Sequence, residues 1–202
     1  MTRPISFLRP SLIAAAALAL AGGAVAQPVD SARAKAMLFG DAAPQVQIHR
    51  QDFLSADDGK IVAQIAQTLT YYAAIAAAPA EGLASEASVA QTNFHGIDAA
   101  RRAAVTACNA RRTVSGPGCV VVASILPKGY APQPVQLSAQ ATRFFGEDFA
   151  RIKGPKAFAI SAATGSWATG QGARATADAL AACNKRAREE GAADCQVVIE
   201  DK

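Results

Sequence analysis

Ala182-Cys183-Asn184-Lys185-Arg186, running on to Cys195-Gln196-Val197-Val198-Ile199, decides how this chain is read. The same order occurs about 75 residues earlier, where Ala107-Cys108-Asn109-Ala110-Arg111 runs on to Gly118-Cys119-Val120-Val121-Val122. Each stretch puts Ala-Cys-Asn-x-Arg on an alanine-rich, helix-like segment, then a turn, then a cysteine that opens a β-branched run. Two copies of one unit are the expectation. Each copy has a cysteine on a helix facing a cysteine at the start of a strand.

Working outward, the likeness extends upstream of the cysteines. Leu54-Ser55-Ala56 and Leu137-Ser138-Ala139 each place a serine where a helix would be capped. After Ser55 the apolar residues Ile61, Ile65 and Leu69 recur every four positions, which predicts one helical face. After Ser138 the matching positions are Phe144 or Phe145, Phe149 and Ile152, with Gly154-Pro155 as the stop. Apolar strands follow at 71–76 and 156–161, and turn signals lead to return strands at 83–89 and 166–168. The cysteine helices are expected at 97–112 and 176–190. The β-branched runs 120–125 and 196–199 read as buried central strands.

An α+β fold follows, with two tandem helix–β-hairpin–helix–strand units related by a pseudo-two-fold axis and one disulfide in each. The division is 1–26 signal peptide, 27–53 N-terminal helix and extended arm, 54–130 the first unit and 131–202 the second. Residues 30–39 read as a short helix, and 46–53 as an arm placed to strap the units together. The connector 127–134, Pro-Lys-Gly-Tyr-Ala-Pro-Gln-Pro, is too rich in proline to continue a strand.

The first 26 residues have the form of a secretory signal. Arg3 and Arg9 precede the apolar stretch Leu12 to Leu20, and Ala24-Val25-Ala26 is an A-x-A cleavage site before Gln27. The apolar stretch is too short to cross a ~30 Å hydrocarbon core. A periplasmic or secreted location is therefore expected, with no membrane span after cleavage. The whole chain has 20 Lys+Arg and 16 Asp+Glu; without Arg3 and Arg9 the balance is 18 against 16. So even a balance gives no electrostatic footprint for nucleic acid.

Four cysteines in an exported chain predict two disulfides, and three connectivities are possible. The repeat favours Cys108–Cys119 and Cys183–Cys195. By loop-closure entropy each is worth about 2–3 kcal/mol, which a unit of roughly 70 residues needs. A zinc site is the competing reading. It lacks a C-x-x-C knuckle, and the chain has only two histidines, so no metal is expected.

The second unit resembles a bacterial secreted domain of unknown function. The resemblance rests on Ala157-Phe158-Ala159-Ile160-Ser161, Thr164-Gly165, the helix from Ala177 to Cys183, and Asp194-Cys195-Gln196-Val197-Val198. The first unit resembles it more loosely through Ala74-Ile75-Ala76, Gly82, Cys108 and Cys119, so that together most of 70–202 is covered. The family implies an exported, disulfide-bonded module with no agreed activity. The layout is also similar to small exported proteins labelled 5-aminolevulic acid synthase. That chemistry requires a much larger chain and a Schiff-base lysine beside a pyridinium partner, so neither the activity nor a cofactor is expected here.

For catalysis the strongest candidate is His95, in Asn93-Phe94-His95-Gly96-Ile97-Asp98. It has no counterpart in the second unit and so sits where the copies diverge. The competing reading is a loop or capping histidine. His49, beside Arg50 in the arm, reads as a solvated residue. Gly165-Ser166-Trp167-Ala168 is no nucleophile elbow, and the glycines of 115–118 and 170–172 lack phosphate-loop spacing. For binding, Tyr71, Tyr72, Phe94 and Trp167, with Arg101 and Arg174 among nearby arginines, could line one surface for a cell-envelope saccharide or a protein. Two functions are carried forward. One is an exported non-catalytic binding or structural module of unknown ligand; the other is a small exported enzyme using His95.

Overall fold

The computed structural model describes residues 27–40 and 43–202, so the expected signal segment lies outside the described residues. In chain order the elements are α1 (Ser31–Met37), β1 (Gln45–Ile48), α2 (Ala56–Gln67), β2 (Ala73–Ala77), β3 (Val89–Gln91) and α3 (Ile97–Arg111). Next come β4 (Val120–Leu126), α4 (Ala139–Glu147), β5 (Lys156–Ser161), β6 (Trp167–Gln171), α5 (Ala175–Glu189) and β7 (Cys195–Asp201).

Ser55 caps α2 as the sequence expects. Its hydroxyl accepts the Asp58 N–H, while the Asp58 carboxylate accepts the Ser55 N–H. That reciprocal box satisfies the donors a helix start leaves over. Ser138 likewise accepts the Ala141 N–H and starts α4.

The strands form two antiparallel sheets, in the orders β1-β4-β2-β3 and β6-β5-β7. In each, the first hairpin strand sits between its hairpin partner and the strand that follows the cysteine helix. Register slips at the same place in both, between Ile75 and Ala76 and between Phe158 and Ala159. Such a bulge bends the strand and increases its twist.

Each sheet is covered on both faces. Toward α3 the first sheet turns Ala74 and Ala76, and toward α2 it turns Ala73, Ile75 and Ala77. Toward α5 the second sheet turns Ala157 and Ala159; on the other face Phe158 and Ile160 meet Phe145 and Phe149, with Ala34 of α1. Alanine is a poor strand former by propensity. Here its small side chain lets a helix come close to a strand buried on both faces, and burial decides.

The closest approach is at Gly170 of β6, where an added Cβ would lie 2.0 Å from the Ala175 carbonyl oxygen. Both disulfides close the same corner. Cys108–Cys119 joins α3 to β4 and Cys183–Cys195 joins α5 to β7, each with Cα atoms 6.0 Å apart.

Three details depart from the sequence reading. Ile61 and Ile65 are 47% and 44% exposed, and α2 buries Val62 and Ala66 instead, with Leu69 partly buried beside them. A four-residue period marks a row along a helix, but neighbouring rows share that period. The row with the smaller Ala66 is the one that fits against β4. The return strand begins only at Val89, because 78–88 is a run of turns around Gly82 (φ 74°). There the Ser85 and Ser88 hydroxyls donate to the Gly82 carbonyl, competing with a ladder. The arm contributes β1, paired with β4 of the first sheet. It is the segment before it that reaches the second sheet, through Val29 bridging β7 and Ser31 bonding Asp201.

Candidate functional site

The His95 loop is the meeting point of the two halves. Phe94 N–H donates to the Tyr72 carbonyl, Ala139 N–H to the Tyr71 carbonyl, and the Asn93 amide to Gln140. Asn93 has a left-handed backbone (φ 67°), and its carbonyl presses on Gly165, where a Cβ would meet that oxygen at 2.3 Å. Only glycine fits the β5–β6 turn at that point, since Gly165 also has φ 82°.

His95 is 5% exposed. Its Nδ1 accepts the Ser138 N–H at 3.0 Å, and its Nε2 lies 3.3 Å from the Ser166 carbonyl oxygen. A carbonyl only accepts, so the proton is on Nε2 and the ring is neutral. Burial pushes its pKa down to about 4, and the carbonyls of Ser166 and Gly165 oppose that only in part. Both nitrogens are therefore spent on backbone groups from the second half. In this state the ring has no lone pair to take a proton from a substrate and no spare donor. It pins α4 and the β5–β6 turn to the first half.

Tyr71, Tyr72 and Phe94 lie in the core under α3, where Tyr71 and Tyr72 meet edge-to-face at 5.4 Å and Tyr72 meets Tyr130 at 5.8 Å. The Tyr72 hydroxyl is buried without a hydrogen-bond partner among the described residues, and burial raises its pKa. Trp167 belongs to the other core, stacked on Phe158 at 5.2 Å, with Arg186 over its ring. Arg174 is exposed and pairs with Asp178. These residues are thus divided between two cores and the outer surface, and the structure does not bring them together on one face.

Arg101 is in a different group. Its Nε donates to the Ser124 hydroxyl at 3.0 Å and its Nη1 pairs with Asp98. Ser124, fully buried on β4, also lies 2.8 Å from Nε2 of His49. His49 is therefore held in place, contrary to the expectation of an ordinary solvated residue. Burial first, and the Arg101 charge second, lower its pKa and keep it neutral.

His49 also lines a groove of about 760 Å³ between the end of β1 and α2. Ile48, Leu54 and Ala63 give it apolar lining, Gly59 adds no side chain, and Arg50 and Lys60 bring positive charge, Lys60 being paired with Asp57 at 2.8 Å. A cavity of that size is in the range of small-molecule sites, roughly 300–1,000 Å³.

Two residues with matched roles went unassigned at sequence level. Asn109 Oδ1 accepts the Cys119 N–H, and Asn184 Oδ1 accepts the Cys195 N–H, at 3.0 and 3.2 Å. Each asparagine follows the helix cysteine and satisfies the backbone at the strand cysteine, so the recurring Cys-Asn pair was itself the signal. Ser124 could have been noticed as a lone hydroxyl inside an apolar strand.

These features define a mixed α/β protein with two antiparallel sheets and two disulfides. Among the described residues no helix is long and apolar enough to cross a membrane, and no three His, Cys, Asp or Glu side chains gather as a metal site. The buried Lys156 donates to the Phe149 and Ile152 carbonyls and pairs with Asp201, so its amine is committed to structure and does not fit a Schiff-base role. Comparison with family models, with curated proteins and with solved structures returns no match to this chain.

Proposed function

We propose that the protein is an exported, non-catalytic module that acts by binding, built from two tandem copies of one disulfide-framed unit with pseudo-two-fold symmetry. Its partner is a cell-envelope saccharide or protein. The observation that carries this reading is the state of His95. The one residue that marks where the copies diverge is buried, neutral and bonded through both nitrogens to backbone. A small exported enzyme working through that ring loses its reactive group.

The duplication is supported by the shared strand order, the matching bulges, the two disulfides across the same corner and the paired asparagines. Export is supported by those disulfides and by the signal-like first 26 residues. The resemblance to a secreted domain of unknown function agrees with both.

The test is cosedimentation of protein recovered from periplasm or medium with purified peptidoglycan sacculi and with envelope protein fractions. Saturable binding without release of soluble fragments is the expected result. Fragment release that disappears in His95→Gln would reverse the reading in favour of an enzyme.

A further inference from the structure

The groove between β1 and α2 contains a donor that the scaffold does not use. Arg101 has no acceptor atoms, so its bond to Ser124 is a donation to Oγ. No other acceptor for the Ser124 hydroxyl proton is present among the described residues, so that proton goes to Nε2 of His49, 2.8 Å away. The ring proton then sits on Nδ1, which has no partner among the described residues, on a residue that lines the groove. The relay Asp98–Arg101–Ser124–His49 thus sets a tautomer and ends in an unspent N–H.

Holding β1 does not need this relay, because the ladder to β4 already does so from Gln45 to Ile48, with the His49 N–H continuing it to Val122. Nor is the site a bare helix start: Ser55 and Asp58 satisfy that end of α2.

The lining carries both signs of charge. Arg50 and Asp52 both line it beside the apolar Ile48, Leu54 and Ala63, while Lys60 is paired with Asp57 at 2.8 Å. A fatty acid would leave Asp52 unanswered, whereas a short peptide offers an apolar body, a carboxylate and an ammonium. Among the described residues β1 is an edge strand paired only with β4, so its outer edge adds backbone donors and acceptors that an extended peptide can meet.

We propose that the groove between β1 and α2 binds a short apolar peptide with free termini. The His49 Nδ1–H, with Arg50, takes the carboxylate; Asp52 takes the ammonium. This site rests on the reading of the protein as a binding module and gives that reading a ligand class.

The experiment is calorimetric titration of the intact, disulfide-bonded protein with the tripeptide Ala-Leu-Ala, its N-acetyl form, its C-terminal amide, and octanoate. Saturable binding of the free tripeptide is expected, with the two blocked forms weaker by about tenfold or more. His49→Phe should weaken the free tripeptide to the same degree. Gly59→Leu should abolish its binding while leaving the melting temperature no lower, because a Cβ at Gly59 meets nothing within 4 Å and leucine is the better helix former.

Absence of saturable tripeptide binding, equal binding of octanoate, or retention of binding in Gly59→Leu would each overturn the proposal. Sacculus binding by a wild-type protein that binds no tripeptide would reject the groove and leave the binding-module reading standing.

Discussion

The two hairpins are joined in opposite ways. In the second half β5 and β6 are linked by the tight turn 162–166, and β6 lies so close to α5 that Gly170 has no room for a Cβ. In the first half β2 and β3 are linked by the long turn-rich segment 78–88, and the residue paired with Ala74, where Gly170 pairs with Ala157, is Gln91. That longer segment is tied down by Glu81, whose carboxylate accepts the N–H groups of Val114 and Thr113 and so stays below the usual carboxylate pKa. The frame of cysteine, asparagine and central strand is held in common. What differs is the route into the cysteine helix, and that route carries His95 and joins the halves.

The sharpest way to break the comparison is glycine replacement in each half. Gly170→Ala should cost about 4 kcal/mol or more, since its Cβ would overlap α5 backbone that cannot move alone. Gly118→Ala, whose Cβ would meet only the Asn109 side chain at 3.6 Å, should change stability by less than about 0.5 kcal/mol. Urea midpoints for the two variants check this, and a loss in Gly170→Ala no larger than in Gly118→Ala would mean that β6 does not lie so close to α5.

Next in size is the junction. The folded-state pKa of His95 is about 4 against 6.5 for an unperturbed imidazole, so between those values the unfolded chain binds more protons and stability rises with pH. The contribution is fully present above about pH 6.5 and is lost as pH falls toward 4, on the order of 3 kcal/mol. Unfolding free energies of the wild type and His95→Gln across that window should diverge, with the variant less stable near neutrality and flatter in its pH response.

Removing either disulfide by paired Cys→Ala substitution should cost about 2–3 kcal/mol, nearly the same for both, because the bonded cysteines are 11 and 12 residues apart in sequence. Melting curves under non-reducing conditions measure it. A large inequality would show that one half depends on its staple and the other does not. A smaller loss than for the disulfides is expected at the asparagines. Asn109→Ala and Asn184→Ala should each cost about 1 kcal/mol and add in the double variant, as separate sites do.

Much of the frame was legible because it rests on local chemistry. Ser55 and Ser138 announce helix starts, and the two cysteine pairs announce their bonds through recurrence. The contacts that join the halves could not be read in the same way. Nothing local to Asn93 says that its carbonyl meets Gly165, or that His95 reaches Ser138 and Ser166. The exposed Ile61–Ile65 row shows the same limit, since periodicity finds a row and only the partner surface selects which row is buried. The aromatic residues were informative about mass and silent about side: Tyr72 and Trp167 went to different cores. The relay to His49 was hidden because Ser124 and Arg101 are brought to it by strand register and by α3.

The most direct measurement is a nitrogen-15 NMR titration of the two imidazoles in the intact protein. The neutral Nε2–H tautomer of His95 should persist through the neutral range, with protonation only near pH 4. A His95 ring that titrates near 6.5, or that holds its proton on Nδ1, would contradict a buried pin between the halves and return it to candidacy as a working catalytic group.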